Sequence, residues 1–162
     1  MVNETAIPVK LLWEILSAIT DPEVPVLTIT DLGIVRDVKI SDKEIEIIIT
    51  PTYTGCPAMD MIAMNIRMAM IENGFPNTRI TSVLSPAWTT DWMSEEGKRK
   101  LKEYGIAPPV TRSDRPGLTG NIECPLCNSK DTRLISEFGS TACKSLYQCN
   151  DCKEPFHHFK CH

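Results

Sequence analysis

The last quarter of the chain holds two Cys-x-x-Cys pairs, Cys124-Pro125-Leu126-Cys127 and Cys149-Asn150-Asp151-Cys152, with 21 residues between them. Two such knuckles on facing turns bring four thiolates to the corners of a tetrahedron, a donor set that suits Zn²⁺ or a single iron ion. About forty residues with few aliphatic side chains cannot build an adequate core unaided, so the expected C-terminal module is a metal ribbon. The competing readings are reduced thiols in a bare hairpin, which leaves the deficit of core standing, and two disulfides, which an odd total of seven cysteines argues against. The gap between knuckles is slightly long for a zinc ribbon, which predicts an extra turn or strand between them. That gap, with no glycine directly after either knuckle, favours zinc over the redox iron of a rubredoxin-like electron carrier.

A length of 162 residues has room for one ordinary domain before such a ribbon. Basic side chains number 17 against 21 acidic ones, so no general positive field exists to hold a phosphate backbone, and nucleic acid is not an expected partner. The N-terminus lacks a basic start and an apolar h-region, and no apolar run approaches the length of a membrane span. With thiols expected to stay reduced, the expected location is the cytoplasm.

Apolar residues Leu11, Leu12, Ile15, Leu16 and Ile19 recur at helical spacing after Pro8, which predicts a helix from Pro8 to Thr20, ended by Asp21-Pro22-Glu23. Val35, Val38 and Ile40 lead through the turn Ser41-Asp42-Lys43 into the apolar run Ile45 to Ile49, a hairpin with a buried second strand. A second helix runs from Pro57 to about Glu72 and stops at Asn73-Gly74; a third strand covers Thr78 to Leu84; a last helix covers Asp91 to Tyr104 and ends at Gly105. The order helix, strand, strand, helix, strand, helix predicts an α+β class: a small mixed sheet with helices, plus the C-terminal zinc ribbon. Prolines and glycines with almost no apolar residues mark Ala107 to Asn121 as a linker, which divides the chain into a domain over 1–106, a linker over 107–121 and a ribbon over 122–162.

Cys56 stands between the buried strand and the second helix, in Thr54-Gly55-Cys56-Pro57. A thiol at a helix mouth meets unpaired N–H groups and the favourable end of the dipole, the setting of reactive or metal-binding cysteines; a small buried hydrophobe at a strand end is the equal alternative. Asp21, Glu23 and Asp31 place carboxylates in the loop after the first helix, where caps are the ordinary role. Met59, Met61, Met64, Met68 and Met70 make the second helix apolar on nearly all sides, which favours a helix sandwiched in a core or in a homodimer over an adaptable docking surface. Trp88 and Trp92 fit core and cap roles. Cys143 and Cys161 exceed the four-ligand count and leave three options open: a second soft-metal site, a redox pair, or packing, the last being the default. His157, His158 and His162 lie beside them. No phosphate loop, nucleophilic triad or paired carboxylates on helical spacing is present, so substrate turnover is not expected.

The strings Asp21-Pro22-Glu23-Val24-Pro25, Thr30-Asp31-Leu32-Gly33-Ile34-Val35, Thr54-Gly55-Cys56-Pro57 and Ser85-Pro86-Ala87-Trp88-Thr89-Thr90-Asp91-Trp92 resemble the SufT-like domain of iron-sulfur cluster maturation factors. Joined to the first knuckle, to Phe138-Gly139-Ser140-Thr141-Ala142-Cys143-Lys144 and to Glu154-Pro155-Phe156-His157-His158-Phe159-Lys160-Cys161, the chain from about residue 8 onward is similar to the PaaD family of the bacterial ring-1,2-phenylacetyl-CoA epoxidase system. The resemblance implies a non-catalytic accessory component of aerobic phenylacetate catabolism that assists maturation of an iron-sulfur cluster or di-iron centre, with the oxygenase and reductase subunits as partners. It implies that the working thiol is Cys56, with Thr54, Asp21 and Glu23 as neighbours, and that the cofactors are structural zinc on Cys124, Cys127, Cys149 and Cys152 and a transient iron or iron-sulfur cluster. An iron-binding electron carrier and a purely structural component of the oxygenase are the alternatives.

Overall fold

The computed structural model describes residues 7–42, 44–110 and 122–160. The chain forms two compact units that divide after Trp88.

In the first unit, α1 (Val9–Ser17) buries Leu12, Ile15 and Leu16 on one face. Pro8, expected as the first helical residue, is extended at ψ 115° and instead accepts the N–H of Leu11 through its carbonyl. The helix stops three residues early because Thr20 bridges to Thr28 and the Ile29 N–H donates to Ile19, which pulls the chain into a turn. The hairpin follows as expected: β1 (Val35–Ser41) pairs antiparallel with β2 (Glu44–Ile49), and Asp42 takes the left-handed turn position at φ 52°. Helix α2 (Ala58–Glu72) then carries the chain back so that β3 (Thr78–Ser82) lies parallel to β2, giving the order β1-β2-β3. Strand β2 is central, and its alternate residues Ile45, Ile47 and Ile49 are buried. Its other face carries Glu46, which accepts from the Thr81 hydroxyl at 2.6 Å and pairs with Arg79 at 3.5 Å. The sheet is therefore covered on one face only, by α1 and α2, and each fully buried Leu or Ile there contributes about 1.5–3 kcal/mol.

Of the expectation that α2 is sandwiched in a core or in a homodimer, this one-sided cover corrects the first half. Ala58, Ile62, Ile66 and Met70 face inward, while Met61, Met64, Met68 and Ile71 are exposed. A three-stranded sheet offers α2 one partner surface, and no other described element of this unit covers the opposite side. Strand β3 ends two residues short of Leu84, which is exposed; Trp88 is buried, as expected of a core residue.

The second unit begins with a break in the expected Asp91–Tyr104 helix. A short 3-10 turn covers Thr90–Trp92, with the Thr89 hydroxyl accepting from the Asp91 N–H, and then Met93 turns extended and is buried. Helix α3 (Glu95–Glu103) starts afresh at Ser94, whose hydroxyl accepts from the Gly97 N–H at 2.9 Å. Gly105, at φ 88°, ends it as expected.

Strand β4 (Ile106–Ala107) pairs parallel with β7 (Pro155–Phe159), Ile106 against His157 and Ala107 against His158. Strands β5 (Thr132–Ser136) and β6 (Lys144–Cys149) complete an antiparallel run, giving the order β4-β7-β6-β5. The boundary expected at 106/107 is thereby corrected. Ala107 is 1% exposed inside the ribbon's sheet, and α3 and β4 fall in the ribbon's unit rather than the preceding domain. Of the expected linker, residues 111–121 lie outside the described residues.

Candidate metal centre and thiol loop

Each knuckle is closed by its own backbone. In the first, the Cys124 N–H donates to Ser129 and the Asn128 N–H donates back to Cys124; in the second, the Cys149 N–H donates to Glu154. The residue following each pair, Asn128 at φ 62° and Lys153 at φ 67°, takes the left-handed conformation that a glycine would adopt at less cost. Side chains tie the two turns together: the Ser129 hydroxyl donates to Asp151, and the Asn150 amide donates to Asp131 at 2.7 Å. Behind them lies a small core of Ala107, Ile122, Cys124, Cys149 and Phe156, flanked by Tyr147. The extra structure expected between the knuckles is the β5–β6 hairpin with its 137–143 connection.

All four sulfurs lie within 4.8 Å of one another, with Cys124 Sγ 3.8 Å from Cys152 Sγ and Cys127 Sγ 3.5 Å from Cys149 Sγ. A tetrahedron with Zn–S bonds of about 2.3 Å has edges of about 3.8 Å, so these positions fit a four-thiolate ion and are far too wide for disulfides. Electrostatics point the same way. Burial alone would raise the Cys149 thiol, but the N–H groups of Cys152 and Asp151 and the neighbouring sulfurs bring it down to about 7. The Glu154 N–H draws Cys152 downward, yet burial and the three other sulfurs push it up to about 12. Cys127 is likewise raised despite the Ser129 N–H, through burial and its sulfur neighbours. Sulfurs this close do not all ionise without a cation among them, and a divalent ion supplies that charge.

The spare thiol Cys143 is buried outside this tetrahedron, 3.0 Å from the Thr141 hydroxyl. Among the described residues no second group of three metal donors gathers; Cys161 and His162 lie outside those residues. Two features of this region were not legible in sequence. Gly139 packs under His157 so closely that a Cβ would stand 2.6 Å from the ring's Cδ2. Buried His158, beside the Ser145 hydroxyl, is held down to about 4 by burial and by Lys160.

In the first unit, the loops after β2 and β3 leave the carboxyl ends of the parallel pair, the usual position of binding sites on open sheets. Three of the segments that carry the SufT-like resemblance meet there. The Trp88 indole N–H donates to Leu32 at 2.7 Å, the Thr50 N–H donates to Ile34 and the Val83 N–H donates to Ile49. Gly55 takes φ 80°, the Cys56 N–H donates to Tyr53, and the Met59 N–H donates to Cys56 as α2 begins. Cys56 is half-buried with a free thiol, and Thr54 is exposed. A cavity of about 80 Å³ is lined by residues 50–54, Leu84, Ala87 and Trp88; Cys56 is outside its lining. Asp21 is buried, and its carboxylate accepts from the N–H groups of Glu23 and Val24 at 2.8 and 2.7 Å, a cap that shapes the turn. Asp31 accepts from the Thr28 N–H in a similar turn. Asp21 and Glu23 thus belong to the turn after α1, and Thr54 and Cys56 to the turn before α2.

Helices on one face of a three-stranded sheet and a four-cysteine ribbon downstream make a small α+β domain joined to a zinc ribbon. Residues 11–83 match the iron-sulfur cluster assembly protein family, and residues 108–160 match the PaaD zinc beta ribbon domain. The chain belongs to the PaaD family, the D subunits of 1,2-phenylacetyl-CoA epoxidase. It is 53% identical over 150 residues to the protein of Escherichia coli (strain K12) that carries the provisional name of 1,2-phenylacetyl-CoA epoxidase D-subunit, covering 93% of this chain and 91% of that one. An Fe-S protein maturation auxiliary factor of Porphyromonas gingivalis is 34% identical over 53% of this chain and 83% of its own. Among solved structures, a domain of unknown function (DUF59) from Bacillus anthracis is similar at TM-score 0.53 and 28% identity, over 57% of this chain and 89% of its own. The four clustered cysteines form the structural zinc site of the ribbon.

Among the described residues no helix is long and apolar enough to cross a membrane.

Proposed function

We propose that this protein is a non-catalytic accessory factor of the phenylacetyl-CoA epoxidase system that helps load a metal centre, passing iron or an iron-sulfur cluster through Cys56. The observation that carries this reading is the division of labour among the thiols. Four cysteines are gathered for zinc in the ribbon, while Cys56 stands half-buried with a free thiol in the turn between β2 and α2. A lone thiolate cannot hold a cluster, so a client or second chain completes the ligand set, which suits transfer rather than storage. Asp21, Glu23 and Thr54 shape the turns around that position, and the ribbon serves as the docking module. The clients are the oxygenase and reductase subunits, and the encounter takes place in the cytoplasm. Cys143 acts as a packing residue.

The test is the iron and acid-labile sulfide content of oxygenase and reductase isolated from cells whose only copy of this protein carries Cys56→Ser. The substitution removes a soft ligand and little volume, so it leaves the fold in place at a cost of no more than roughly 1–2 kcal/mol. Under-loaded clients at normal protein levels are expected. Full occupancy of both clients would dismiss Cys56 as the working thiol and leave a purely structural role.

A further inference from the structure

The four ribbon cysteines differ in their access to solvent. Cys124 and Cys149 are each 0% exposed and Cys152 is half-buried, whereas Cys127 is exposed. Exposure rises along the first knuckle from Cys124 through half-buried Pro125 to Leu126, Cys127 and Asn128, before Asn128 turns the chain back to Cys124 at φ 62°. A thiol that binds zinc is deprotonated, so at neutral pH Cys127 presents a thiolate to water. Thiolate character and exposure together are what make a cysteine oxidisable. A resolving partner stands beside it. Cys127 Sγ is 3.5 Å from Cys149 Sγ, the shorter of two cross-knuckle contacts, the other being Cys124 to Cys152 at 3.8 Å.

We infer that the zinc ribbon is a peroxide-sensitive switch, in which Cys127 is the sulfur oxidised first and Cys149 the sulfur that resolves it. The Cys127 thiolate attacks one oxygen of hydrogen peroxide, the O–O bond breaks and hydroxide leaves, giving a sulfenic acid. The Cys149 thiolate attacks the sulfenic sulfur, an S–S bond forms and a second hydroxide leaves. Two thiolates are thus oxidised by two electrons to one disulfide, and one peroxide is reduced to two hydroxide ions. To reach a bond of about 2.05 Å the two sulfurs close by about 1.5 Å. Two thiolates, Cys124 and Cys152, remain in the cluster, too few for a tetrahedral structural zinc site. Because the new bond joins one knuckle to the other, it holds together the ends of the segment that contains the β5–β6 hairpin, and reduction by a dithiol in the presence of zinc restores the module. The inference rests on the zinc of the ribbon and is independent of metal transfer through Cys56, so either can fail without the other.

The test treats the zinc-loaded full chain, without clients, with a small molar excess of hydrogen peroxide. Released zinc is followed with a chromogenic chelator, and disulfides are mapped by mass spectrometry of peptides. One zinc per chain is expected in solution, with a Cys127–Cys149 disulfide formed in step and both changes reversed by dithiothreitol and added zinc. Cys56→Ser removes the half-buried thiol of the first unit and should release zinc at the unaltered rate. Cys127→His keeps a fourth zinc ligand while removing the exposed sulfur, and should release zinc at least about tenfold more slowly. Should that variant fail to take up zinc, the pairing mapped in the unaltered chain decides. Zinc that stays bound through the treatment overturns the inference. So does a disulfide within one knuckle, Cys124–Cys127 or Cys149–Cys152, in place of the cross-knuckle one, or a Cys127→His chain that loses zinc as fast as the unaltered protein. Release that requires Cys56 would make that thiol the point of attack and equally overturn it.

Discussion

Replacing Cys149 by serine separates what metal and packing contribute to the ribbon. Cys149 is fully buried and belongs at once to the four-sulfur cluster and to the small core behind it. The large apolar side chains of that core are Ile122 and Phe156, which together contribute about 3–6 kcal/mol by burial. With Ile106 and Phe159 of the same sheet added, burial contributes about 6–12 kcal/mol, whereas a structural zinc held by four thiolates is worth about 10–16 kcal/mol to a small module that is unfolded without it, so metal is the larger contribution. Serine is a poor ligand for zinc, and the variant is expected to lose the ion and, with it, the sheet β4-β7-β6-β5. The first unit has its own core of α1, α2 and β1–β3 and is expected to remain folded. Two-dimensional amide spectra of the full chain would show collapsed dispersion for residues 122–160 and unchanged positions for residues 7–83. Zinc chelation of the unaltered protein should give the same pattern. A ribbon that keeps its dispersed spectrum without metal would refute the ranking of metal over core, and simultaneous loss of both units would refute their independence.

Acid should weaken the second unit through His158, which burial and Lys160 hold at about 4 against an ordinary value of 6.5. A folded value below the unfolded one costs nothing above pH 6.5 and progressively more as pH falls from 6.5 to 4, by at most about 3 kcal/mol. Because acid also protonates the zinc thiolates, the measurement is the difference in unfolding free energy between the unaltered protein and His158→Gln across that window; a constant difference would sink it. Trp88→Phe removes the 2.7 Å hydrogen bond to Leu32 and leaves a buried carbonyl unpaired, which should destabilise the first unit by about 1–3 kcal/mol. Denaturant midpoints indistinguishable from the unaltered protein would show that the bond contributes nothing. Cys143→Ser should retain one zinc per chain, because its sulfur lies outside the cluster of four; a fall in zinc stoichiometry on elemental analysis would make it a ligand.

Features that rest on local spacing were legible before any fold was known. The Cys-x-x-Cys pairs specified the zinc ligands because two residues between thiols is the span of one tight turn. The alternation of Ile45, Ile47 and Ile49 specified a half-buried strand, and Asn73-Gly74 and Gly105 the helix ends, because these depend on neighbours within a few residues. Features that depend on partners distant in the chain emerged from packing alone. The composition of α2 reads as apolar all round, and only a sheet covered on a single face shows which half of it stays outside. Proline and glycine marked Ala107 as linker, but residues some fifty positions later supply the strand that draws Ile106 and Ala107 into the ribbon's sheet. The helix expected from Asp91 was split by a serine cap and a buried methionine that favour a break where helical pattern alone favours continuity. The site at Cys56 belongs to both levels. The residue type of Cys56 and its place before a helix were legible, whereas the meeting of the neighbouring loops, Trp88 with Leu32, Thr50 with Ile34 and Val83 with Ile49, follows from a parallel strand pairing that no local pattern encodes.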